Sequence, residues 1–376
     1  ELYAKAGLCS PLEAGSAQPS EIIAESVSAH PRQPQAHVPP VLDDNDPLQT
    51  VPCFGDQLTR VRLAGAKDLR AGSHSVNDRL DHLYPFCIVD WHTKRSFLKL
   101  IFKKMFKDSA RELGTLRFFR EKLQRRNVTL DVKHFEDCEQ LFISIGRSYT
   151  VEALLEFFEM KTLEDSPHKH LPPRPDLLPD QSSKKEYFDK TMEKFIDEFL
   201  SPVLTFDDDC QQECDVQSDE ESCNTDFVRN YSLRLLQYFF IMADIKDAVK
   251  EGNGLRLHQI HKQLLHHFKS DSGYNAYAIE MFINIIQNEV LLSKQEAQQC
   301  IWSATANWPG GKGRNIEIDL LQENRNKDLK NLIKEMGANK TDKAIYRASR
   351  AVGGIQHIVE NLNVQSSNKP SSGSHT

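Results

Sequence analysis

Apolar positions fall at helical spacing through most of the ordered stretches, and residues 50–92 are the one patch with strand-like runs. In SFLKLIFKKMF, Phe97, Leu100, Ile101 and Met105 stand at i, i+3, i+4 and i+8 and define one helical face. The same periodicity predicts helices over 109–125, 133–147, 150–160 and 184–200, three long helices filling 226–292, and helices near 318–336 and 341–362. Thr341, just after Gly337, reads as the N-cap of the last of these. Within 50–92, a short extended run ends at Gly55 and Asp56, and a helix with Leu58, Val61, Leu63 and Leu69 follows to about Arg70. Residues 86–90, FCIVD, form the strongest strand candidate, short and β-prone. The predicted fold is predominantly α, with a small α/β core at 50–92 completed by the C-terminal helices and a helical insertion between. Repeated strand alternation is absent, which argues against a Rossmann fold or a barrel.

Breaks in the pattern set the organisation. Residues 1–49 are rich in Pro, Ser, Ala and Gln and read as a disordered lead-in to a strand-helix core with basic helices over 50–160. A Pro-rich linker covers 161–183, a helix 184–205, an acidic linker 206–226, a helical region 227–362 and a polar tail 363–376. The acidic stretch holds nine Asp or Glu and no Lys or Arg. Its Cys210, Cys214 and Cys223 lack CxxC spacing and a nearby histidine, so a linker is favoured over a zinc site. Such a tract could also shield basic helices.

Composition narrows the setting. Of 376 residues, 39% are hydrophobic and 27% charged, a mixture that fits a folded protein with disordered segments. No apolar run is long enough to span a membrane, and no basic-then-apolar leader is apparent after Glu1. Eight cysteines scattered through helical contexts fit reduced thiols, so an intracellular protein with no membrane partner is expected. The net charge of -7 does not by itself choose a partner.

Several residues carry candidate chemistry. Asp56 lies where a strand gives way to a helix; it reads either as a Mg²⁺ ligand or as the helix N-cap accepting the Thr59 N–H. Asp90 and His92 sit at a similar junction, and period two would place both on one face if the strand continued through them. A metal ligand and a general base are the chemical options there; a capping Asp beside a partly buried His is the structural one. The two acidic strand ends, 34 residues apart, could lie on adjacent strands.

Between 93 and 126, twelve Lys or Arg face three acids. Lys94, Arg95, Lys99, Lys103 and Lys104 on one helix, and Arg117, Arg120, Arg125 and Arg126 on the next, are candidate phosphate contacts. A solvated helix face is the plainer explanation. Lys312 and Arg314, in the Gly-rich NWPGGKGRN, could contact a further phosphate, although no P-loop pattern is present. Glu323, one turn after Asp319, and Glu280 compete as a late carboxylate.

GDQLT at 55–59, DWHTKRSFL at 90–98, ARELGTL at 110–116, EGNGLR at 251–256, NAYAIE at 275–280, GRNIEIDLLQENRNK at 313–327 and GANKT at 337–341 resemble, in order, a eukaryotic family of domains of unknown function. More loosely, the order strand-Asp, helix, strand, acid-x-His, helical insertion and late acidic helix resembles part of the RNase H-like core of DNA transposases. That resemblance implies Asp56 as a catalytic aspartate, Asp90 and His92 as an acid–His element, and Glu323 or Glu280 as the final glutamate, with Asp56, Asp90 and Glu280 as metal ligands for Mg²⁺. The spacing here is D-x-H rather than D-x-x-H, and residues 1–50 offer no convincing first strand followed by its aspartate. The resemblance therefore implies a partial RNase H-like core, inactive as this chain, binding nucleic acid and nuclear in location. The alternative is a non-catalytic intracellular scaffold for a protein partner, in which the junction acids are caps. Whether the chain is an enzyme stays open.

Overall fold

A computed structural model describes residues 50–106, 112–171, 173, 180–200, 227–335, 340–350 and 354. The lead-in, the acidic tract with its three cysteines, most of the proline cluster and the tail lie outside them. The described fold is predominantly helical with two small two-stranded sheets. Two compact units emerge. The described residues of 1–93, 249–258 and 279–376 form the first, and those of 94–248 and 259–278 the second.

The first unit contains β1 (Val51–Gly55), α1 (Gln57–Arg70), β2 (Leu83–Ile88) and the opening of α2 (Asp90–Met105). β1 and β2 pair in parallel, Phe54 opposite Cys87 and Gly55 opposite Ile88, with a register shift after Val51. Period two divides their side chains between two apolar clusters. Cys53 and Leu83 meet Leu63 of α1 on one side. Phe54 and Cys87 meet Cys300 and Ile318 on the other. Gly55 is required by close approach, since a Cβ there would stand 2.8 Å from the Thr59 side chain. Leu63 is the buried anchor of α1; the predicted companions Leu58, Val61 and Leu69 are exposed. The strand also stops earlier than the pattern predicts. β2 ends at Ile88, so Asp90 and His92 belong to the first turn of α2, not to a strand face.

The rest of this unit comes from later segments. The start of α7 (Gly254–Lys269) follows the end of α6 (Phe227–Glu251), and α8 (Asn275–Ile286) continues into a π turn over Gln287–Leu291. After α9 (Lys294–Trp302), β3 (Thr305–Ala306) and β4 (Ile316–Glu317) form an antiparallel hairpin that leads into α10 (Ile318–Glu335). Residues 342–350 are helical, and Thr341 accepts the Ala344 N–H as an N-cap, as its sequence position predicts.

The second unit is all helical: most of α2, then α3 (Leu116–Lys122), α4 (Phe135–Phe157), α5 (Gln181–Phe199), the bulk of α6 and the end of α7. Phe97, Leu98, Leu100, Ile101 and Phe102 are all fully buried, so α2 is enclosed on every side there rather than on the single predicted face. Of the helix expected over 109–125, residues 109–111 lie outside the described residues; the helix present in the described part is Leu116–Lys122, where Gly114 takes a positive φ and Thr115 caps the start. The two helices expected over 133–160 are one continuous α4. Ala153, Phe157, Phe195, Phe199, Leu233 and Leu236 form a shared apolar cluster.

Candidate functional site at the strand ends

Within the first unit, five acids, one histidine and one arginine gather around the C-terminal ends of β1 and β2. Asp56 follows β1 directly, and its Oδ1 accepts both the Thr59 backbone N–H at 2.8 Å and the Thr59 hydroxyl at 2.7 Å. Asp56 is the N-cap of α1. Four residues on, Arg60 directs its Nε between the two carboxylate oxygens of Glu280, 2.6 Å from each. Glu280 is 2% exposed on α8, so a charge that would be costly alone is matched by a guanidinium. Burial raises the Glu280 pKa, the Arg60 bond and charge oppose this, and Asp56 adds a further upward push; the net direction is up.

The second strand end is organised by a residue from far along the chain. Asp319, in the first turn of α10, accepts the backbone N–H groups of Trp91 and His92 at 3.2 and 3.1 Å. It therefore caps α2, placing a carboxylate at the positive end of the helix. The same Oδ2 lies 2.9 Å from Nδ1 of His92, which fixes the imidazole orientation. The other ring nitrogen, Nε2, stands 3.6 Å from Glu323, one helical turn after Asp319. Burial pulls the His92 pKa down, but the Asp319 hydrogen bond and the charges of Asp319, Asp56 and Glu323 outweigh it and leave the value raised. Asp90, the first residue of α2, is itself buried.

The structure thus brings Asp56, His92, Glu280 and Glu323 into one electrostatic neighbourhood, together with Asp319 and Arg60. Arg60 carried no signal in the sequence. Asp319 was visible only as the neighbour of Glu323 on one helix face. The arrangement does not fit the implied Mg²⁺. Arg60 takes both oxygens of Glu280, Asp319 uses both of its oxygens in the α2 cap, and one oxygen of Asp56 caps α1. Among the described residues, no group of three or more His, Cys, Asp or Glu side chains is placed to hold a metal ion. The chemistry open to the site is proton exchange at His92, held by Asp319.

The predicted cations sort into two kinds. In the second unit, Lys94 is buried with its Nζ 4.0 Å from Glu139, Lys103 bonds Asp271 at 2.8 Å, and Lys104 bonds Ser270 at 2.8 Å. Arg117 and Arg120 both pair with Glu121. Arg95 also has an interaction partner, and its charge together with partial burial lowers the Lys99 pKa, burial being the larger cause. Arg125 and Arg126, on the turn after α3, are exposed and have no acid partner among the described residues. In the first unit, Lys312 and Arg314 on the β3–β4 loop are exposed and unpaired in the same sense.

Fold and site together define a helical protein with a parallel βαβ edge, three of its five strand-end acids engaged in two helix caps and an arginine ion pair. The chain belongs to a family of unknown function, DUF6589, whose model matches residues 32–375. Comparison with curated proteins and with solved structures gave no match. The looser resemblance to RNase H-like transposase cores gains no support from these comparisons. No helix among the described residues is long and apolar enough to cross a membrane.

Proposed function

We propose that this chain binds nucleic acid through exposed cations on its turns, and that its acidic strand edge is architectural rather than a cutting site. The observation that carries this reading is the contrast among the predicted basic residues. Lys94, Lys103, Arg117 and Arg120 are matched by the chain's own acids, whereas Arg125, Arg126, Lys312 and Arg314 remain exposed without an acid partner among the described residues. Exposed cations that the described acids leave unmatched, in a chain of net charge -7, are suited to a polyanionic backbone. The parallel strand pair with an acid after each strand supports a transposase-derived origin, in which the edge persists while Arg60 and the two caps occupy its carboxylates. A nuclear location goes with that reading.

The test is fluorescence anisotropy of a labelled duplex with the whole chain. Arg125→Glu/Arg126→Glu should weaken binding, and Lys103→Ala, removing a cation already paired with Asp271, should leave it nearly unchanged. Equal effects from the two would contradict the reading.

A specific observation favours a protein partner as the second reading. Ile279 and Phe282 on α8 are each 54% exposed, and Val290 and Leu291 on the π turn are more so. If this face binds a second copy, the chain should associate with rising concentration and Phe282→Asp should abolish that association in sedimentation.

A further inference from the structure

The β3–β4 hairpin holds a loop, residues 307–315, with chemistry that the strand-end site does not use. Gly310, Gly311 and Gly313 all take positive φ, and the Asn307 side-chain amide donates to the Gly311 carbonyl at 2.7 Å, closing the loop on itself. Trp308 projects from this loop 40% exposed. One face of its ring carries the Arg325 guanidinium, 4.7 Å from the ring centroid. Lys312 and Arg314 stand exposed on the same short loop.

An exposed indole already stacked on one side by a guanidinium, with two cations that have no acid partner among the described residues within six residues of it, matches what an unpaired nucleobase and its flanking phosphates need. Duplex DNA offers phosphates but keeps its bases stacked inside, so it would use Lys312 and Arg314 and leave Trp308 idle. We infer that the β3–β4 loop grips single-stranded nucleic acid, Trp308 stacking on an exposed base while Lys312 and Arg314 contact adjacent phosphates. This rests on the nucleic-acid reading above and specifies its strandedness.

Whole-chain protein is titrated against labelled oligothymidylate and against a duplex of equal length at one salt concentration. Trp308→Ala should weaken single-strand binding by about fivefold or more and leave duplex binding little changed. Trp308→Phe should restore most of the loss, because a phenyl ring still stacks. Lys312→Glu/Arg314→Glu should weaken both complexes. If Trp308→Ala binds the single strand as tightly as wild type, or loses both complexes alike, the stacking grip is overturned while nucleic-acid binding stands. If the wild-type chain binds neither probe, the loop assignment and the nucleic-acid reading both fall.

Discussion

Arg60 of α1 and Glu280 of α8, 220 residues apart in sequence, meet with the Arg60 Nε 2.6 Å from both carboxylate oxygens. The contact explains how α8 can bury an acid while leaving Ile279 and Phe282 outside. It also commits both oxygens of one strand-edge carboxylate to a cation supplied by the chain itself.

Removing the arginine should therefore cost more than removing the pair. Arg60→Ala leaves Glu280 buried and unmatched, and the loss should be about 3 kcal/mol, lessened by the partial exposure of Arg60. Arg60→Met/Glu280→Leu should recover most of it, because an apolar pair can fill a buried site at little net cost. Urea melts of the single and double variants check this. A double variant less stable than Arg60→Ala would contradict the assignment.

His92 predicts a pH dependence of defined sign. Its folded pKa is raised above the ordinary 6.5, so its contribution to stability is fully present below that value and disappears as pH rises through the folded pKa. Asp319→Asn removes the charge behind much of the rise. The stability gap between wild type and Asp319→Asn should be larger at about pH 5.5 than at about pH 8.5. In the variant, the His92 ring should titrate at lower pH by NMR. A gap that widens with pH would reverse the assigned sign.

Two glycines predict opposite outcomes. A Cβ on Gly254, at the start of α7, would stand 2.2 Å from the Ile301 carbonyl oxygen, so Gly254→Ala must displace backbone and should lower the melting temperature. A Cβ on Gly65, inside α1, would meet nothing within 4 Å. Gly65→Ala should raise stability by up to about 1 kcal/mol through helix propensity alone. Thermal melts of the two variants give the comparison directly.

What could be read from the sequence was local. Asp56 as a cap, one of its two sequence readings, requires only Thr59 three residues later, and that hydrogen bond forms. The long helices announced themselves by spacing, with α4 differing only in running without a break. The pattern predicts a strand reaching Asp90, with His92 on the same face only if it continued, and the helix start that replaces it has a distant cause. The residue that caps α2 is Asp319, more than 220 positions later, and nothing near Asp90 marks the helix start as clearly. Arg60 has no local sequence signal for the same reason, since its partner lies on α8. β3 and β4 have two residues each, too few to show a period. The basic run looked uniform as a string of letters. Only the three-dimensional pairing of Lys103 with Asp271, or of Arg117 with Glu121, separates it from the exposed Arg125 and Arg126.

The most direct test of nucleic-acid binding is the salt dependence of the affinity of the whole chain for a labelled oligonucleotide. Each neutralised phosphate contributes about -0.9 to the slope of log Kobs against log salt for a duplex, and about -0.7 for a single strand. A steep negative slope is expected, made shallower by Arg125→Glu/Arg126→Glu and by Lys312→Glu/Arg314→Glu. A flat slope, or no binding at low salt, would contradict the account and leave the exposed α8 face as the leading clue to function.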